Sequence, residues 1–126
     1  MNILIDTHVY LWWLDQPTKI SKAAHSVIEN VKNAVFVSAA VPWEITIKKS
    51  IGKLDVTDDV MDYMIKDEFL PLSIDHAHSL ALKRLPAHHH DPFDRIQIAQ
   101  AWIEDLTFIT RDKNILKYDL IKTIKA

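Results

Sequence analysis

The chain has 126 residues, 48% hydrophobic and 25% charged, with a formal net charge of -2. That is enough for one domain with a buried core, and it excludes nucleic-acid binding through a uniformly basic coat. With no cysteine, disulfides, thiolate metal sites and cysteine catalysis are excluded, and a single glycine, Gly52, excludes the glycine-rich cradles that hold nucleotide phosphates.

Residues 2–5, "NILI", form a short β-branched run that predicts a buried strand ending at Asp6. "THVYLWWL" then predicts a helix with Thr7 as its cap. Helical spacing of Ala24, Val27, Ile28 and Val31 predicts a helix over 21–33, capped by Ser21. "AVFVS", 34–38, is the next strand. Residues 39–54 show both periodicities, and Pro42 favours a helix starting near it and ending at Gly52. Residues 57–68 predict a helix with Val60, Met61, Met64 and Ile65 on one side; 69–73 a strand; and 74–85 another helix. After the loop "AHHHD", "PFDRIQIAQAWIEDL" predicts a helix over 92–106. "TFIT", 107–110, is a strand, "DKNILKYD" a turn or short helix, and "LIKTIK" a last strand. No apolar run has the length of a membrane span, and the N-terminus lacks the basic and small-residue features of a signal peptide, so a cytoplasmic setting is expected. No repeat or linker divides the chain, and a single domain over residues 1–126 is expected.

Alternation of strand and helix predicts a parallel sheet covered by helices on both faces. Ligands of such sheets sit outside the carboxyl ends of the strands, where the strand order reverses. Asp6 and Asp112 fall at strand ends, and Glu44 and Asp94 in the first turns of helices. Singly, each reads equally as a helix cap or a dipole-compensating residue, and Asp91 before Pro92 is the better cap for its helix. As a set they converge on one edge. Four carboxylates there repel one another, and a hard divalent cation such as Mg²⁺ offsets that repulsion while leaving room for a phosphate oxygen.

These residues also carry a resemblance. "ILIDTH", "VPWEI", "DPFDRIQIAQA" and "FITRD" resemble the four acidic motifs of PIN-domain ribonucleases, closest to the VapC-type toxins of bacterial toxin–antitoxin pairs. The likeness runs from residue 2 to about residue 124, and "DPFDR…IAQA" followed by "TRD" is its most specific part. It implies a PIN-like three-layer α/β/α fold with a short, mainly parallel sheet. It implies that Asp6, Glu44, Asp94 and Asp112 are the catalytic, metal-holding set, and that the Thr110 hydroxyl supports them. It further implies Mg²⁺ or Mn²⁺ as cofactor, endonucleolytic cleavage of RNA by a water attacking phosphorus in line, and a small antitoxin as partner. A homodimer, and DNA contact only through the antitoxin, complete the expectation. Pro42 just before "WEI" is the one feature that would bend or delay the second motif's helix.

The remaining polar residues read less sharply. His88, His89 and His90 alternate in direction, so a metal site of histidines alone is disfavoured and the loop reads as a polar rim with one histidine available to RNA. His76 and His78 do not face each other on a helix. His8 follows Asp6 closely and reads either as support for the site or as a partly buried ring. Arg95 and Arg111 each follow a proposed metal acid and read as phosphate or antitoxin contacts, or as partners of neighbouring carboxylates. Trp12, Trp13, Trp43 and Trp102 sit beside aliphatics at helical spacing, which favours core or dimer interface over base stacking. Phosphoaspartyl enzymes are disfavoured because His8 stands where a second acid is needed. A non-catalytic module whose acids only cap helices remains the alternative.

Overall fold

A computed structural model describes residues 1–126. The strands are β1 (Asn2–Ile5), β2 (Ala34–Ser38), β3 (Leu70–Leu72), β4 (Thr107–Thr110) and β5 (Lys122–Lys125). The helices are α1 (Thr7–Asp15), α2 (Lys22–Glu29), α3 (Ala40–Ser50), α4 (Tyr63–Lys66), α5 (His76–Ala81) and α6 (Pro92–Ile103). Every strand pairing is parallel, in the order β3-β2-β1-β4-β5. The chain therefore builds outward from β1 through β2 and β3, then returns to the other side of β1 with β4. The order reverses between β1 and β4, which register Ile3 against Thr107 and Ile5 against Ile109.

The period-two alternation of β1 divides the core. Ile3 and Ile5 join Val35, Val37 and Ile109 under Val9 and Tyr10 of α1, Ala24 and Ile28 of α2, and Val41 and Ile45 of α3. Leu4 points the other way and joins Phe108 with Ala81 of α5, Ile98, Ala99 and Ala101 of α6, and Tyr118. Helices thus cover both faces, giving the three layers expected, with a sheet that is wholly rather than mainly parallel. Burial of this kind is the main stabilising term: truncating the fully buried Phe108 to alanine is expected to cost about 3–5 kcal/mol.

Several sequence expectations need correction. The cap of α1 is Asp6, whose carboxylate accepts the Val9 N–H; Thr7 is already inside the helix. The helix expected to reach residue 33 stops at Glu29, because the Asn30 side chain accepts the Lys32 N–H and the Asn33 amide donates to the Val27 carbonyl. Val31 is consequently 93% exposed rather than core-facing. Helix α3 starts at Ala40, ahead of Pro42, whose missing N–H falls in the first turn where no intrahelical bond is lost. It ends as expected at Gly52, whose φ of 72° is the left-handed conformation glycine adopts freely.

The largest miss is residues 57–68. Only Tyr63–Lys66 is helical, and turns occupy the preceding residues. The backbone there closes three-residue turns instead, Val60 N–H to the Thr57 carbonyl at 3.2 Å and Asp62 N–H to the Asp59 carbonyl at 2.9 Å, while the Thr57 hydroxyl donates to the Asp59 carboxylate. Val60, Met61 and Met64 still pack on the core, whereas Ile65 is 78% exposed. The helix expected over 74–85 is α5 followed by a 3₁₀ turn at Leu82–Arg84, and α6 ends at Ile103 short of the expected residue 106. Of the tryptophans, Trp12, Trp13 and Trp102 are partly buried against the two cores. Trp43 stays 53% exposed, with its ring edge-on to Phe93.

Candidate active site

Asp6 leaves the carboxyl end of β1 in extended conformation and is buried. One carboxylate oxygen accepts the Val9 N–H at 2.8 Å, so the residue does cap α1. The other accepts the Thr110 hydroxyl from the end of β4. Burial pushes its pKa above the ordinary carboxylate range, against the pull of those two donors. Thr110 also accepts the Asp112 N–H at 3.1 Å, so one hydroxyl ties the acid after β1 to the acid after β4.

Glu44 lies on the second turn of α3 and is only 3% exposed. Its Oε1 accepts the Thr7 hydroxyl at 2.6 Å and its Oε2 lies 2.5 Å from the Lys48 ammonium, one turn on. That bond raises the Lys48 pKa, leaving the lysine firmly charged. A buried glutamate is tolerated here because each oxygen has a donor.

Asp94 occupies the first turn of α6. Pro92 opens that helix with a ready-made φ, and the Asp91 side chain caps it by accepting the Asp94 N–H at 3.0 Å. The Asp94 carboxyl is pushed up to about 8, first by burial and then by the charges of Asp91, Asp6, Glu44 and Asp112. The Thr110 hydroxyl joins Asp6 to Asp112 and the His89 ring joins Asp112 to Asp94, and the charge of Glu44 also reaches Asp94, so the four acids share one edge. Asp112 behaves differently. Burial pulls its pKa up, but N–H donors of Asn114 at 2.7 Å and Ile115 at 3.2 Å, together with His89, outweigh it and hold the carboxyl below its usual range.

His89 belongs to this site and was not singled out from the sequence. Its Nε2 lies 2.9 Å from Asp94 Oδ2 and 3.2 Å from Asp112 Oδ2, and these three residues bring ligand atoms within 4.8 Å of one another. Its place two residues before the α6 cap was the signal that it stands near Asp94. Nothing in the sequence announced the contact with Asp112, which depends on how the loop folds over β4.

The other expected site residues sit farther out. His8 is exposed, its ring 6.1 Å from Trp12. Arg95 points away from the acids: its guanidinium donates to the carbonyls of Leu82, Pro86 and His89 and to the Tyr118 hydroxyl. Arg111 donates to the carbonyls of Ala126 and Lys19 and stacks over Trp12 at 4.5 Å. Both arginines are engaged with backbone, not with the carboxylates beside them in sequence.

The donor set is oxygen-rich, drawn from four segments, and crowded enough to hold one acid protonated up to about pH 8. That fits a hard divalent cation, which favours carboxylate oxygens and would relieve the crowding. The Nδ1 of His89 accepts the Asp91 N–H at 3.2 Å, so the ring hydrogen sits on Nε2 and that nitrogen is a donor, not a ligand.

A second His–acid–acid group lies at the far end of α6, about 15 Å along the helix from Asp94. His78 is buried, its Nδ1 accepting the Asp75 N–H at 3.1 Å and its Nε2 donating to Glu104 at 2.9 Å. It closes a capping box on α5 and pins that helix to the end of α6.

Comparison with known proteins bears on this edge. The family model described as PIN domain matches residues 3–120. A ribonuclease, VapC16 of Mycobacterium tuberculosis (strain ATCC 25618 / H37Rv), is 38% identical over 58 residues, covering 43% of this chain and 41% of that protein. Among solved structures, VapBC2 from Rickettsia felis bound to a promoter DNA fragment is similar with TM-score 0.74, at 10% identity over 99% of this chain and 98% of that one. DNA-bound VapBC from Salmonella typhimurium gives TM-score 0.72 at 12% identity over the same shares. FitAB bound to the IR36 DNA fragment gives 0.64 at 16% identity, over 99% of this chain and 94% of that one. At these identities the structural likenesses speak for the fold.

Proposed function

Because the chain belongs to the PIN-domain family, we propose that it is a Mg²⁺- or Mn²⁺-dependent endoribonuclease, acting as the toxin of a toxin–antitoxin pair. The observation that carries this reading is the convergence of Asp6, Glu44, Asp94 and Asp112 at the point where the strand order reverses, with Asp94 pushed up to about 8 by burial and then by its acidic neighbours. The partial likeness to a ribonuclease points the same way.

Asp6, Glu44, Asp94 and Asp112 would together hold the cation through carboxylate oxygens. Bound there, Mg²⁺ or Mn²⁺ supplies the positive charge that offsets the acids and polarises the phosphodiester and the attacking water. The chain's own donors do the positioning. Val9 and Thr110 fix the Asp6 carboxylate, Thr7 and Lys48 fix that of Glu44, and two backbone amides fix one oxygen of Asp112. These three acids thus arrive with their orientation already set, which lowers the cost of assembling the site.

An antitoxin partner is supported by the solved relatives, whose names describe VapBC and FitAB assemblies. DNA would then be reached only through that partner. A homodimer would use the exposed Trp43, Ile47 and Ile51, which recur every four residues along and just past α3. Residues 1–126 would act as a single domain. No helix is long and apolar enough to cross a membrane. The decisive experiment uses the Asp6→Asn/Asp94→Asn double variant and single-stranded RNA in Mg²⁺. Cleavage is expected to vanish in the variant and in wild type treated with EDTA, while circular dichroism is unchanged. Cleavage persisting in the purified double variant overturns the assignment.

A further inference from the structure

We propose that His89 is a catalytic hydrogen-bond donor whose Nε2–H contacts a non-bridging oxygen of the phosphodiester bound at the acidic edge. This inference rests on the nuclease reading above. It starts from the loop at residues 86–91, which is held with unusual completeness. The Tyr118 hydroxyl donates to the Pro86 carbonyl at 2.7 Å and accepts the His89 N–H at 3.1 Å. Arg95 donates to the Pro86 carbonyl at 3.2 Å, to the His89 carbonyl at 3.1 Å and to the Tyr118 hydroxyl at 3.3 Å. Both backbone groups of His89 are therefore fixed, by an arginine from α6 and a buried tyrosine that is 29 residues away in sequence. The Tyr118 oxygen has used its one hydrogen and both lone pairs. Rim loops are ordinarily the least constrained parts of a fold. This one is anchored so that a single ring enters the site.

The ring's chemistry is fixed as well. With Nδ1 accepting the Asp91 N–H, Nε2 carries the hydrogen. Binding a cation through Nε2 would move that hydrogen to Nδ1 and set it against the Asp91 N–H, donor facing donor. Nε2–H lies between Asp94 Oδ2 and Asp112 Oδ2, and Asp112 Oδ1 is already committed to two amides. A cation that claims those free oxygens leaves the N–H without an acceptor in a pocket where His89 is 12% exposed. Incoming RNA brings the missing acceptor in its phosphate oxygens, to which N–H donors bond strongly. The ring gives a hydrogen bond only and no proton leaves it, so the hydrolysis balances with water alone: the water oxygen bonds to phosphorus, the P–O bond to the leaving nucleotide breaks, and of the two water hydrogens one ends on that leaving oxygen by way of solvent and the other stays with the new phosphate monoester or is released from it.

The experiment compares wild type, His89→Ala and His89→Gln, the glutamine amide reaching the place of Nε2. Three measurements are made on each: kcat and KM on single-stranded RNA in Mg²⁺, Mn²⁺ affinity without RNA by calorimetry, and thermal stability. Nitrogen-15 NMR of the wild-type imidazole is recorded before and after Mg²⁺. Expected are Mn²⁺ affinities alike in all three proteins, a loss of about 10²-fold in kcat for His89→Ala, as for other single donors to a reacting oxyanion, recovery of most of it in His89→Gln, and an Nε2–H that persists with Mg²⁺. Should the alanine protein unfold, His89→Met, which keeps bulk without a donor, takes its place. Wild-type kcat in the donor-free variant overturns the proposal. So does a loss of cleavage matched by a loss of Mn²⁺ affinity, which makes the ring a brace for the acids, or an Nε2 that gives up its hydrogen to Mg²⁺. Each of these leaves the nuclease reading standing; a wild type that binds Mn²⁺ yet cuts no RNA sinks both.

Discussion

The two ends of α6 carry nearly the same group of side chains and use them differently. At the N-terminal end His89 meets Asp94 and Asp112; at the C-terminal end His78 meets Asp75 and Glu104. In both, the histidine Nδ1 accepts the N–H of a helix-capping aspartate, and Nε2 turns to carboxylates. The surroundings differ. The Asp75 and Glu104 side chains are 60% and 41% exposed, so water carries their charge and the buried His78 acts as a pin between two helices. Asp94 is 21% exposed and has Asp6, Glu44 and Asp91 as further neighbours. A histidine between two acids is therefore not a metal site by composition. What sets the Asp94 end apart is that strand ends there add more carboxylates than solvent can screen.

The strongest way to break that comparison is to remove one acid from each end. Asp94→Asn is expected to lower Mg²⁺-dependent RNA cleavage by about 10³-fold or more, whereas Glu104→Gln leaves it within about twofold. Equal losses, measured as kcat/KM, would make both groups functional or neither.

Removing the two histidines separates the ends along another axis. His78→Ala deletes a buried ring with two hydrogen bonds and is expected to cost about 2–3 kcal/mol of folding stability, read by denaturant unfolding, with cleavage unchanged below the melting temperature.

The pH dependence of stability sharpens the contrast further. Folding raises the Asp94 carboxyl from 3.8 to about 8, so protonated Asp94 favours the fold. That contribution is complete below about pH 3.8 and is lost as pH rises through about 8, with buried Asp6 acting in the same direction. Asp112 is lowered instead, and its contribution is lost only as pH falls below its ordinary 3.8, outside this window. The metal-free protein should therefore melt several degrees lower at pH 8 than at pH 5, and Asp94→Asn or added Mg²⁺ should flatten the decline. A melting temperature that rises over this range in EDTA contradicts the crowding.

The smallest expected effect lies at the structural end. Asp105 follows α6 with φ of 53°, and Leu106 N–H bonds back to the Ala101 carbonyl at 2.9 Å, the arrangement in which glycine is preferred. Asp105→Gly is expected to raise stability by about 1 kcal/mol with no change in cleavage.

The local signals were readable from residues alone. Strand ends at Ile5 and Thr110, the Pro92 start of α6 and the Gly52 stop of α3 are each set by a few neighbouring side chains. So were the positions of Asp6, Asp94 and Asp112, because a place at a strand end or first turn is a property of short segments; Glu44 falls later than expected, on the second turn of α3. What escaped depends on competition or on distance. Turns closed on the Thr57 and Asp59 carbonyls replaced an apolar helical pattern, and Asn30 with Asn33 cut α2 short. Arg95 sits beside a site acid in sequence, yet its planar fork found three carbonyls and a hydroxyl on the opposite side. The partners of His78 and His89 lie 26 and 23 residues away, beyond what helical or strand periodicity reports.

The pairing of β1 with residues 34–37 on one side and 107–109 on the other has a consequence for biosynthesis. A nascent chain leaving the ribosome presents Asp6 and Glu44 early, but the central strand keeps one edge bare until β4 has been translated. Thr110, which orients the Asp6 carboxylate, and Asp112, which closes the acidic edge, arrive together in that same stretch. An interrupted translation product ending before them carries neither the finished sheet nor the finished acidic edge.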